Sequence, residues 1–113
     1  MLKDRLRQVL LDQAQTARPV TYQELAGRLG LTPPHTIHRV TQALELLMAE
    51  DVTEGRPLLA VICVSRLQQN LPGLGFFATA EALGVFSGDP AGPEAHAFHA
   101  LELQRALAFY RRP

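Results

Sequence analysis

Apolar positions along the chain recur with different periods, and those periods predict its elements. Leu2, Leu6, Val9, Leu10, Ala14 and Ala17 follow the i, i+4, i+7, i+8 spacing of an amphipathic helix. Lys3, Arg5, Arg7 and Asp12 fall mainly off that stripe. Pro19 stops the helix by pushing its preceding residue out of the α region, so a first helix is expected over residues 2–17. Thr21-x-x-Glu24 is a capping box, in which the threonine oxygen takes one orphan N–H and the glutamate takes another. It opens a short helix from Tyr22 to Leu29 that buries Leu25, Ala26 and Leu29 and ends at Gly30. Thr32-Pro33-Pro34 repeats the start signal, with prolines suited to a first helical turn. The helix that follows runs to about Glu50. One face carries Ile37, Val40, Leu44, Leu47 and Met48; the other carries Thr36, Arg39, Gln42 and Ala43, then Glu45 and Glu50. Two such helices form a helix-turn-helix pattern.

The period changes after Gly55. Pro57 to Ser65 is almost wholly apolar, with β-branched residues in its second half, as in a strand buried on both faces. Gln68 to Gly73 is turn chemistry, and Gly73 and Gly75 bracket Leu74 before Phe76-Phe77. Strand, turn and second extended segment make a β-hairpin, the wing of a winged helix-turn-helix. Ala78 to Leu83 reads as a short helix ended by Gly84, and Ser87 to Pro93 as a loop. A closing helix from Glu94 to Arg112 uses Ala97, Phe98, Leu101, Leu103, Leu107 and Tyr110, with Arg111 and Arg112 complementing its dipole. The expectation is one α+β domain over residues 1–113, mostly helical and winged-helix-like, with a short β-hairpin.

Composition narrows the chemistry. The length suits a single core, and 47% hydrophobic residues argue against disorder. The lone Cys63 excludes an internal disulfide framework and a multi-cysteine zinc site. Eleven cations against eleven acids exclude a globally basic surface for nucleic acid or membrane. The balance is uneven, however. Residues 1–18 hold Lys3, Arg5, Arg7 and Arg18 against Asp4 and Asp12, whereas residues 19–50 hold Arg28 and Arg39 against Glu24, Glu45 and Glu50. Charges interrupt the first fifteen residues, unlike a signal peptide, and no run approaches the ~18 apolar residues that span a bilayer. A cytoplasmic protein without a membrane partner is expected.

A helix entering the major groove needs short polar side chains near its N-terminus and cations nearby for phosphates. Thr36, His38, Arg39 and Gln42 suit the bases; Arg28 and Arg66 suit phosphates; Thr21 or Tyr22 can bond phosphate at a helix start, and Arg5 and Arg7 can add to the contact. The leading expectation is therefore a non-enzymatic, regulatory protein that binds double-stranded DNA. The alternative is a protein-interaction module or homodimer whose partner face is the first or last helix, with Leu11, Phe109 and Tyr110 as anchors. His35/His38 and His96/His99 are i, i+3 pairs, but no third ligand is supplied and no metal or cofactor is assigned. Cys63, among Val61, Ile62 and Val64, reads as a small buried hydrophobe. The pairs Asp51/Glu54 and Asp89/Glu94 read as solvated carboxylates, and no catalytic constellation appears.

Val20-Thr21-Tyr22-Gln23-Glu24-Leu25-Ala26 resembles the V-T-Y-G-x-[IL]-A opening of the C-terminal DNA-binding domain of O6-alkylguanine-DNA alkyltransferases and alkyltransferase-like proteins. Val40 to Leu44 is similar to the V-G-x-A-[LM] of that family's recognition helix, and Pro57 to Arg66 stands where the family has P-L-P-I-x-x-P-C-H-R. Pro57 and Arg66 match, but Val64 takes the nucleophile's place, Ser65 the histidine's and Cys63 the proline's. The family's DNA-intercalating arginine falls near His38, with Arg39 adjacent. The resemblance covers about 55 residues. It implies a winged-helix topology and, as a third function, an alkyl-damage sensor without alkyl transfer. Thr21 to Ala26, Arg56 to Phe77 and Glu94 to Tyr110 together resemble small bacterial winged-helix-like proteins over nearly the whole chain, which implies fold rather than activity.

Overall fold

The computed structural model describes residues 2–68 and 70–111. Its elements in chain order are α1 (Leu2–Ala14), β1 (Val20–Thr21), α2 (Tyr22–Arg28), α3 (Thr36–Thr53), a 3-10 turn (Leu59–Ile62), β2 (Cys63–Val64), a second 3-10 turn (Arg66–Gln68), α4 (Leu74–Ala82) and α5 (Pro93–Tyr110). The chain is thus mostly helical, with a small α+β component. Among the described residues, no helix is long and apolar enough to cross a membrane.

The helical stripes of the first half form as expected except in α3, where Ile37, expected on the core face, is exposed in the first turn and Ala43, expected on the outer face, is buried. Leu6, Leu10 and Ala14 of α1, Leu25 and Ala26 of α2, and Val40, Leu44, Leu47 and Met48 of α3 are all buried in one core. Both arms of the Thr21–Glu24 capping box are made, and Gly30 adopts φ +69° just past α2. Boundaries differ for local reasons. α1 stops at Ala14, where Gln15 to Ala17 form a turn and Ala17 has positive φ. α3 begins only at Thr36, because Thr32 and Pro33 each precede a proline and are excluded from the α region. His35, left-handed at φ +63°, enters the helix without a side-chain cap. α3 then continues past Glu50 to Thr53, drawing Asp51 fully into the interior.

The second half departs further. The apolar run after Gly55 is not a long strand: it makes a 3-10 turn and contributes only Cys63 and Val64 to a sheet. That sheet is parallel, pairing Val20 with Cys63 and Thr21 with Val64. The expected hairpin is not formed, because Phe76 and Phe77 belong to α4, which starts four residues before the expected Ala78. A single antiparallel bridge, Ser65 with Leu71, closes the intervening turn. Phe76, Phe77, Phe86 and Phe98 pack edge to face or tilted, with centroids 5.1–6.3 Å apart, and fasten α4 to α5. α5 begins at Pro93 and ends at Tyr110; Arg111 follows it, and Arg112 lies outside the described residues.

What holds the 3-10 turn in place is a ring of buried or half-buried polar side chains. Its first amides point along the turn axis without backbone partners, as at any helix start. Glu102 Oε2 accepts from Leu58 N–H at 2.8 Å, and Asp51 Oδ2 accepts from Leu59 N–H at 3.1 Å. Tyr110 donates its hydroxyl to Pro57 O at 2.8 Å, and His99 Nε2 lies 3.2 Å from Val61 O. Asp51 is 0% exposed and its other oxygen accepts from Arg7 at 3.0 Å and Arg56 at 3.1 Å. The reading of Asp51 as a solvated carboxylate is therefore overturned: it joins α1, α3 and the 3-10 turn.

Candidate functional site

The residues expected to meet DNA divide into two groups. Thr21 and Tyr22 are committed internally. Thr21 is 8% exposed, its hydroxyl accepting from Glu24 N–H at 3.1 Å while Glu24 Oε1 accepts from its own N–H at 2.9 Å. These bonds, the backbone one foremost, hold the Glu24 carboxyl below its ordinary range. Tyr22 accepts from Gly73 N–H at 2.8 Å, tying α2 to the start of α4, and burial pushes its hydroxyl up to about 12. Neither side chain is placed to receive a phosphate.

The second group faces solvent. His38, Arg39 and Gln42 are exposed on the first two turns of α3, Thr36 is half-buried at its start, and among the described residues none of these four side chains makes a hydrogen bond or ion pair. Arg28, exposed on α2, donates to Gln13 Oε1 at 2.7 Å. Arg66 is exposed at the second 3-10 turn, and both Arg28 and Arg66 act electrostatically on Glu24. Arg28 closes α2 and Arg66 follows β2, and both lie within electrostatic reach of Glu24.

The cations of α1 are spent elsewhere. Lys3 and Arg7 both pair with Glu50, and Arg7 pairs with buried Asp51 as well. Lys3 and Arg7 together hold the Glu50 carboxyl below its usual range, and Glu50 raises the Lys3 ammonium. Arg5 donates to Leu29 O at the end of α2. Arg5 and Arg7 therefore fix helix to helix rather than offering charge to a phosphate backbone.

Sequence reasoning missed an apolar groove of about 260 Å³ between the start of α3 and the start of α4, lined by Tyr22, Ile37, Thr41, Leu67, Leu74 and Phe76 among others. Leu67 is 90% exposed and Leu74 52%. Their signal was a leucine isolated within turn chemistry, where burial has no element to act through. The expected partner anchors also change: Leu11 packs against the core, Tyr110 is half-buried with its hydroxyl bonded, and only Phe109 stands out, ring to ring with Tyr110. Cys63 is fully buried and burial pushes its thiol up, so it behaves as a small hydrophobe. No group of three His, Cys, Asp or Glu capable of holding a metal gathers among the described residues. Against protein-family models, curated proteins and solved structures alike, the chain finds no match.

Proposed function

We propose that this chain is a non-enzymatic, regulatory protein that binds double-stranded DNA through the N-terminal half of α3. The observation that carries the reading is the set of unengaged, exposed polar side chains His38, Arg39 and Gln42 on successive turns of one helix. Arginine and glutamine there are suited to bidentate contact with guanine and adenine edges in the major groove. Arg28 and Arg66 would take phosphates on either side of Glu24. The mode differs from a winged helix in one respect: the segment expected as a wing is a 3-10 turn and α4, so the second contact falls to Arg66 rather than to a hairpin.

Fluorescence anisotropy with a mixed-sequence duplex at two salt concentrations tests this. Binding should weaken with salt, and Arg39→Ala should weaken it further at every salt concentration. Binding indifferent to both would sink the proposal. A second reading, a protein-interaction module, is favoured by the exposed Leu67 and Leu74 in the groove beside α3. It predicts that Leu67→Ser impairs capture of an apolar partner while duplex binding is absent at every salt concentration. A damage sensor, the third reading, would instead prefer O6-alkylguanine over guanine in the same titration.

A further inference from the structure

The outer face of α5 departs from the rule for a surface helix. Ala95, Glu102 and Ala106 are buried on the inner face, with Phe98, Leu103, Leu107 and Tyr110 packed partly against the core. Leu101, expected in the core, is 61% exposed, and Ala97, Gln104 and Ala108 beside it are exposed as well. A solvent-facing helical surface ordinarily carries charges. This one carries none between Glu94 and Arg111 except Arg105 at its edge, which is paired with Glu102. Leu101, Leu103, Gln104 and Leu107 line a shallow apolar groove of about 460 Å³ along it.

Glu94, Ala97, Leu101, Gln104, Ala108 and Arg111 follow one another at alternating intervals of three and four, the seam spacing of a two-helix coil. The order reads alike in both directions in spacing and is complementary in chemistry. When a second α5 lies antiparallel across the first, with the two-fold axis passing between Glu102 and Leu103, Ala97 faces Ala108, Leu101 faces Gln104, and Glu94 faces Arg111. The symmetry makes each contact twice, including two ion pairs at the ends, and sets the helix dipoles head to tail. Alanine at the seam allows the axes to approach toward the low end of the 8–10 Å range of helix pairs.

We propose that the outer face of α5 is a homodimer interface, and that its occupant is α5 of a second copy. α5 has 18 residues and is ~27 Å long, so one helix pair has a footprint of roughly 300 Å² per protomer. That is below the ~800 Å² per partner of a standard stable interface, so the proposed dimer is a weak one that exchanges with monomer. α5 packs on the 3-10 turn and α1, so pairing through its outer face leaves the N-terminal half of α3 uncovered. The proposal does not depend on DNA binding and is tested without nucleic acid.

Sedimentation velocity over a concentration series of the full chain should show reversible monomer–dimer exchange. Leu101→Glu should weaken the dimer at least about tenfold, with an unchanged helical circular dichroism spectrum since the side chain is exposed. Gln104→Leu should tighten it by a similar factor. Arg111→Glu should weaken it, and Glu94→Arg combined with Arg111→Glu should recover much of the loss. A monomer at every concentration overturns the proposal, as does a dimer equally tight with and without Leu101→Glu. Failure of the paired charge swap to recover dimerisation overturns the antiparallel register.

Discussion

His99 is held neutral by where it sits. Half-buried on α5, it is desolvated, and burial, with His96 one turn away, pulls its pKa below the ordinary 6.5. Its Nε2 lies 3.2 Å from Val61 O, a contact that requires the proton on Nε2 and that opposes, without overcoming, the lowering by burial. The unfolded chain therefore takes up this proton more readily than the folded one. Stability from His99 is complete above about pH 6.5 and is lost as pH falls through the lower folded-state value. Glu24 and Glu50, both held low by hydrogen bonds, lose stability in the same direction, but only near and below their ordinary 4.5. The two windows separate. Urea unfolding followed from pH 7 to pH 5.5 should show a decline in wild type that His99→Gln flattens, with the steeper fall below about pH 5 unchanged. A decline identical in both proteins would assign the upper window to another group. Neither the His96/His99 spacing nor its neighbours in sequence carried this: the carbonyl that fixes the ring is 38 residues away.

Among elements, local signals were legible wherever the chain itself satisfies its backbone. The capping box, the Gly30 stop and the α1 to α3 stripes were readable because each partner lies within a few residues. Pro57 to Val64 was not readable, because an unbroken apolar run suits a buried strand and a buried 3-10 turn equally. What decides between them is the supply of acceptors for Leu58 and Leu59, and these come from Glu102, 44 residues away, and from Asp51 on the preceding helix. α4 was hidden for a related reason: Leu74, Phe76, Phe77, Ala78 and Ala80 are apolar around the whole helix and show no period, and the glycines at 73 and 75 suggest a turn. Asp51 is the test of this account. Asp51→Ala leaves Leu59 N–H buried without an acceptor and strips Arg7 and Arg56 of their shared carboxylate, costing about 3–5 kcal/mol. Glu54→Ala, on the exposed end of the same helix, should fall within about 0.5 kcal/mol of wild type. Chemical denaturation of the two variants measures the contrast, and hydrogen exchange at Leu59 should accelerate only in the first.

At the scale of the molecule, the equality of eleven cations and eleven acids conceals a division of labour. Lys3, Arg7, Arg56 and Arg105 are paired with Glu50, Asp51 and Glu102, and Arg5 is bound to a helix-end carbonyl; they hold the fold together. The α1 cations, which the sequence offered as phosphate ligands, are thus withdrawn, leaving Arg28, Arg39 and Arg66 around α2 and α3. In the proposed mode only Arg28 and Arg66 take phosphates, and two such contacts would correspond to a slope of log K against log salt of about −1.8, little more than non-specific attraction. Two protomers joined through α5 would bring four, with a slope of about −3.6. Duplex titrations at protein concentrations below and above the dimerisation midpoint should therefore give two slopes, the steeper at high concentration. Leu101→Glu should hold the shallow slope throughout while leaving every α3 side chain in place. A single slope, unchanged by concentration and by this substitution, means that one protomer binds alone, and the sparse charge of α2 and α3 then sets its ceiling.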